Sequence, residues 1–112
     1  GLGAMSAELA GELKEVGQLA IANLRTALDL FEVWNEEQAL SVIEGHRQMD
    51  GQFQTELQRA MTCIMENKLE LGLAVSFVLV AKSLDRITHH ALNLAEYALF
   101  EMKGIDLRVI QP

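Results

Sequence analysis

The sequence predicts an all-α fold, an up-down-up bundle of three helices forming a single domain over residues 1–112. Three observations carry that expectation. The only proline, Pro112, is the last of 112 residues, so nothing inside the chain forces a helix to break. Apolar residues recur at three- and four-residue intervals over long stretches, the period of a helix with one buried face. Two short polar breaks, at Asn35 and at Glu66–Lys68, divide this pattern into three rods, and connections so short force neighbouring rods to be antiparallel.

The first helix is expected from about Ser6, a candidate N-cap, to Val33. Leu9, Leu13, Val16, Ala20, Leu24, Ala27, Leu28 and Phe31 fall on one face. The opening "GLGAM", residues 1–5, reads as a tag remnant or a frayed end. Asn35 then reads as an N-cap with Gln38 three residues on, the spacing of a capping box. The stripe of this second helix runs through Ala39, Val42, Ile43, Phe53, Leu57, Ala60, Met61 and Ile64 until "ENK" ends it. The third helix is expected from about Leu69 to Lys103, stopped by Gly104. Each rod is then on the order of 45 Å long at ~1.5 Å rise per residue.

Composition removes several classes of function. The net charge is −7 and the sequence pI about 4.8, with the basic residues scattered, which argues against a nucleic-acid or anionic-membrane surface. Cys63 is the sole cysteine, so an intrachain disulfide is ruled out and a reducing, cytoplasmic setting fits; the residue reads as a small buried apolar side chain. No basic region followed by an apolar core marks a signal peptide. The longest apolar stretch, Leu71–Ala81, is interrupted by Gly72 and Ser76 and falls short of the ~20 residues a membrane span needs. No membrane insertion is expected. Repeats, low-complexity linkers and a Gly-rich phosphate loop are missing from the sequence.

The histidines and their acidic neighbours are the informative residues. "HRQMD" sets His46 and Asp50 four apart, and "DRITH" sets Asp85 and His89 four apart, so each pair shares a helix face. Folding helices two and three into a hairpin about the polar break levels positions whose numbers total about 135. His46 with His89, and Asp50 with Asp85, meet that condition. His46 and Asp50 lie inside the apolar stripe of helix two, where an ionisable group is costly without a partner. Asp85 and His89 lie off the main stripe of helix three, on a face shared with Val78, Leu92 and Glu96. Three readings remain open: a His/Asp metal site, a metal-free network of hydrogen bonds and salt bridges, and simple solvation. His90 points about 100° from His89 and reads as a flank residue with a structural hydrogen bond. Asn93 and Glu96 continue the polar strip, Glu96 as an extra carboxylate for the cluster or, with more weight, a solvated surface acid.

Catalysis has little support. No nucleophile is paired with a base: Ser6 and Ser41 sit near helix starts, Ser76 and Ser83 in apolar runs. The Glu-x-x-His pairs of di-iron carboxylate bundles are not found near the cluster. The methionines read as core filler with some partner-facing surface.

The stretch "AKSLDRITHHALNLAEYALFEMKG" resembles the signature of the phosphate-uptake regulator (PhoU) family, Leu-Glu-Arg-Ile-Gly-Asp-His-Ala-x-Asn-Ile-Ala-Glu. Here it reads Leu84, Asp85, Arg86, Ile87, Thr88, His89, His90, Ala91, Leu92, Asn93, Leu94, Ala95, Glu96. "VIEGHRQMDGQFQTEL" is similar to the second-helix pattern, "ALDLFEVWNEEQAL" to the first-helix end and turn, and "KGIDLRV" to the C-terminal Lys-Gly-x-Asp-x-Arg. The likeness covers almost the whole chain as one PhoU-like repeat. It implies that the acidic pairs on helices two and three hold surface metal ions, iron or zinc typically. Carried over by position, that ligand set falls on His46, Asp50, Asp85 and His89, with Arg86, His90 and Asn93 as structural parts of the motif.

Two departures accompany the likeness. One acid in each pair is histidine here, giving a mixed nitrogen and oxygen set that suits a divalent transition metal such as Zn, Fe or Ni rather than a multinuclear iron cluster. Family members usually carry two repeats and this chain has one, so a fragment, a transporter's regulatory tail and a self-dimerising single repeat all stay open. The resemblance implies a non-enzymatic adaptor that damps phosphate uptake or phosphate-starvation signalling. Its implied partners are the ATPase of the phosphate ABC transporter and a sensor histidine kinase, and a homodimer is expected. The rivals are a regulatory or interaction domain of another transporter and a small His/Asp metalloenzyme.

Overall fold

The computed structural model describes residues 3–104 and contains α1 (Ala4–Asp29), α2 (Glu36–Met65) and α3 (Leu71–Lys103), packed as a three-helix bundle. Its extents are 52 × 29 × 17 Å. The second helix begins as its capping chemistry dictates: the Asn35 side chain accepts a 3.0 Å hydrogen bond from the Gln38 amide. The "ENK" break is a Schellman ending. The Lys68 amide donates to the Cys63 carbonyl (2.9 Å), the Asn67 amide donates to the Ile64 carbonyl (3.1 Å), and Asn67 takes the left-handed conformation at φ 57°. Asparagine tolerates that conformation better than other residues with a Cβ. Gly104 ends α3 at φ 70°, its amide donating to Phe100 (2.7 Å).

The structure corrects the sequence expectation at both ends of α1. The helix opens at Ala4 with Gly3 as its cap; Ser6 is buried within the helix and its Oγ donates to the Gly3 carbonyl at 2.8 Å. Ala4 and Met5 therefore form its first turn, while Gly1 and Leu2 lie outside the described residues. Beyond Asp29, the amides of Leu30, Phe31 and Glu32 donate three residues back, and this tightened turn replaces the expected helix as far as Val33. α3 starts at Leu71 rather than Leu69, because Leu69 leaves the helical path to bury itself beside Cys63 and Leu9. Of "KGIDLRV", the residues from Ile105 onward lie outside the described residues.

The core is a stack of three apolar layers. Leu9, Cys63, Leu69 and Ala74 fill one end, and Leu13, Val16, Ala20, Met49, Phe53 and Ala81 the middle. The third layer is rich in alanine (Ala27, Ala39, Ala91, Ala95, Ala98), which lets the helices approach closely. Leu28, Phe31 and Met61, expected on buried faces, are instead 52 %, 52 % and 60 % exposed. A helix that touches two neighbours buries an arc centred between them; Leu28 and Met61 fall outside that arc, and Phe31 lies beyond the end of α1 in the tightened turn. Asn23 of α1 donates to the Val42 carbonyl of α2 (3.0 Å), and Lys103 pairs with Glu36 at 3.4 Å across the ends of α2 and α3. No helix among the described residues is long and apolar enough to cross a membrane.

Candidate metal centre

Between the alanine-rich layer and the middle layer, the apolar stack of α2 and α3 is interrupted by the expected four residues. The His46 and His89 rings meet edge to face, with centroids 4.5 Å apart and planes at 68°. Asp50, Asp85 and His89 each present a donor atom, and these lie within 4.8 Å of one another. The antiparallel pairing of α2 and α3 thus brings Asp50 of α2 beside Asp85 and His89 of α3, with the His46 ring packed on His89 at the edge of that group rather than among its mutually close donors.

Polar satisfaction inside this cluster is incomplete. His46 Nδ1 and Asp85 Oδ1 are sealed from solvent and have no hydrogen-bond partner among the described residues. Orphaned buried polar atoms carry a desolvation penalty and are rare unless a ligand or ion answers them. Burial first, then the adjacent His89, hold the His46 imidazole below its usual range, against the opposing pull of Asp50, Asp85 and Glu96. A neutral ring keeps the lone pair that a metal requires. With His46 added to Asp50, Asp85 and His89, the mixed imidazole and carboxylate donors suit a borderline divalent cation better than a hard one.

The remaining sequence candidates divide. Glu96 is a correction: only 7 % exposed, it is a buried acid whose charge reaches His46 rather than a solvated surface group. Its position one turn beyond Leu92 turns it toward α2, whose rotation the α3 sequence alone does not reveal. His90 is exposed and forms no hydrogen bond among the described residues, so the structural bond expected for it is not made. Arg86 and Asn93 are exposed as well. Thr88, passed over in the sequence, is fully buried and donates to the Asp85 carbonyl at 2.7 Å, bracing the turn that carries Asp85 and His89.

A second polar cluster joins α1 to α2 further along the bundle. Arg59 pairs with Glu12 and, at 3.1 Å, with Glu8. Glu12 Oε2 and Glu56 Oε2 are both sealed from solvent without a hydrogen-bond partner among the described residues, and one proton shared between the carboxyls would answer both. Burial, then the bond to Glu12, pushes Glu56 up to about 7; the bond from Glu56, aided by Arg59, holds Glu12 low. Its signal was present as Glu8 and Glu12 four apart on α1 and Glu56 and Arg59 three apart on α2. The folded chain therefore keeps a proton on Glu56 that the unfolded chain releases near 4.5, so stability from this source is full below 4.5 and is lost as pH rises through about 7. Glu56→Gln keeps a donor toward Glu12 without titrating. We expect it to gain about 1 kcal/mol on wild type between pH 5 and pH 8, a figure already reduced for solvent screening. Urea melts at both pH values read this, and comparison with wild type cancels the opposite trend from His46. An unchanged gap between the two proteins would remove the shared proton from this account.

The comparisons with known proteins agree with the resemblance. The family model described as "PhoU domain" matches residues 13–98. A "Phosphate-specific transport system accessory protein PhoU homolog" of Pseudomonas putida is 30 % identical over 87 % of this chain and 38 % of its own length. Its namesakes in Pseudomonas aeruginosa and Caulobacter vibrioides (strain NA1000 / CB15N) are 29 % and 28 % identical, over 88 % and 93 % of this chain and 41 % and 45 % of their own lengths. No solved structure matches the chain. It spans about two-fifths of the length of the curated relatives it matches. Three helices in the expected order, with the motif residues of α2 and α3 face to face, complete the assignment: the chain belongs to the PhoU family.

Proposed function

We propose that this chain is a metal-binding regulatory adaptor of phosphate transport, in which His46, Asp50, Asp85 and His89 hold one divalent transition metal, zinc, iron or nickel. The observation that carries the metal reading is the convergence of Asp50, Asp85 and His89 from two helices, with His46 against His89 and with His46 Nδ1 and Asp85 Oδ1 buried without a partner among the described residues. The bound cation neutralises two facing carboxylates and locks α2 to α3. Glu96 stands behind the cluster as an additional carboxylate. The function is structural and electrostatic rather than catalytic, presenting a fixed face to a partner in the cytoplasm.

The phosphate part of the reading rests on the relatives, which are accessory proteins of phosphate-specific transport by name. In this reading the chain restrains uptake or phosphate-starvation signalling through the transporter's ATPase and a sensor histidine kinase, and it forms a homodimer, which light scattering against concentration reads. Elemental analysis of protein purified without a nickel column is expected to find about one equivalent of metal per site. A His46→Ala/His89→Ala variant is expected to lose it. Metal-free wild-type protein from cells grown with zinc, iron and nickel ends the metal reading and leaves the family assignment intact.

A further inference from the structure

A second surface stands apart from the metal centre. Where α1 and α3 run side by side, an open apolar groove of about 400 Å³ is lined by Leu13, Gly17, Ile21, Phe77, Val80 and Leu84. Nothing in the described chain covers it, and Ile21 and Val80 are 50 % and 47 % exposed. Leu28, two turns beyond Ile21, extends the same face and is also exposed. From Ala10 to Ile21 the groove runs roughly 16 Å at ~1.5 Å per residue, a seat for about three helical turns.

Charge narrows the choice of occupant. Lys14 lines the groove, and Arg25, three turns on, lies on the same face of α1. Neither forms an ion pair with any described residue, as Lys82 and Arg86 of α3 also do not, whereas Arg47, Arg59, Lys68 and Lys103 are paired. The nearby acids Glu12 and Glu15 turn away and line the opposite groove, against α2. An apolar trough with the unpaired Lys14 on its edge and Arg25 one turn beyond its end therefore stands out on a chain of net charge −7. A second copy is a poor fit, because a two-fold contact of groove on groove sets the Lys14 and Arg25 edge of one copy against the same cationic edge of the other.

We propose that the α1–α3 groove docks one amphipathic helix of a partner protein, with apolar residues at i, i+3, i+4 and i+7 and flanking Asp or Glu that pair with Lys14 and Arg25. This is the helix-in-groove mode, with affinity from the apolar face and orientation from the charges. It goes beyond the metal reading and does not depend on it.

Two labelled 14-residue peptides test it, sharing leucines at that spacing but flanked by Glu in one and Lys in the other. Full-length chain is expected to bind the Glu peptide at least tenfold more tightly, with affinity falling as salt rises. Lys14→Glu/Arg25→Glu is expected to reverse the order of the two peptides. Ile21→Glu weakens both by tenfold or more, and since Ile21 is half exposed, its circular-dichroism melt stays that of wild type. Equal affinity for the two peptides, or no binding of either, overturns the proposal. So does a dimer in light scattering that Ile21→Glu abolishes, which assigns the groove to a second copy. Binding to 3:1 phosphatidylcholine/phosphatidylglycerol vesicles that Lys14→Glu/Arg25→Glu abolishes assigns it to a lipid surface and overturns it equally. Metal content measured on the same samples reports the other site separately, so the two proposals fail independently.

Discussion

Phe53→Ala is expected to destabilise the bundle by about 3–5 kcal/mol, the usual cost of emptying a buried aromatic site. Phe53 is 1 % exposed and belongs to the middle layer, where Leu13, Val16 and Ala20 of α1, Met49 of α2 and Ala81 of α3 meet, with Leu57 and Phe77 packed at the edge. Every helix contributes to this layer, so no single side chain can swing in to fill the space. The loss is a large share of the ~5–15 kcal/mol that holds an ordinary domain together. In a thermal melt it corresponds to a fall of well over ~10 °C. Phe53→Leu, which keeps most of the volume, is expected to cost less than ~1.5 kcal/mol. Equal melting points for wild type and Phe53→Ala would mean that the middle layer does not carry the fold.

Zinc is expected to stabilise the chain by about 2.7 kcal/mol when present at one hundred times its dissociation constant, by mass action on the folded state. The physical source is specific. Among the described residues His46 Nδ1 and Asp85 Oδ1 are buried without partners, and Asp50 and Asp85 converge on one place. A cation answers the orphaned atoms and replaces repulsion between the acids with attraction to a common centre. Because the ligands come from both α2 and α3, unfolding separates them, and the binding free energy becomes folding free energy. Calorimetry should show a melting point raised by roughly 10 °C, reversed by a chelator. His46→Ala/His89→Ala is expected to melt at the same temperature with and without zinc. A zinc shift that survives in that variant places the bound ion elsewhere, Glu12 and Glu56 being the next acids to test.

Much of the candidate site was legible before any coordinates, and the reason is geometric. An antiparallel helical hairpin with a short connection has one adjustable parameter along its length, the position of the turn. Locating that turn at "ENK" was enough to level His46 with His89, whose rings then meet at 4.5 Å. The turn itself was legible because helix ends are local chemistry: the Asn35 side chain caps one rod, and the left-handed Asn67 closes another. Glu96 was misread for the opposite reason. Its burial depends on how far α3 is rotated about its own axis against α2, and on a helix apolar over most of its circumference that angle is weakly marked. The Glu12–Glu56–Arg59 cluster escaped notice because the end of α1 was placed at Val33 instead of Asp29, which shifts the level at which α1 and α2 face each other.

The sequence by itself determined the number of helices, the Asn35 and Gly104 caps and the order of the rods, but not the two ends of α1 or the start of α3. It also determined that an imidazole and an acid from each of two rods share one level. These properties follow from spacing of three to four residues and from caps, which act within a turn or two of the chain. Tertiary structure alone decided how each rod is turned: that Glu96 is buried and Leu28, Phe31 and Met61 are not, and that Lys14 edges an open trough. Rotation about a helix axis is set by the joint packing of three surfaces, and no single surface contains it.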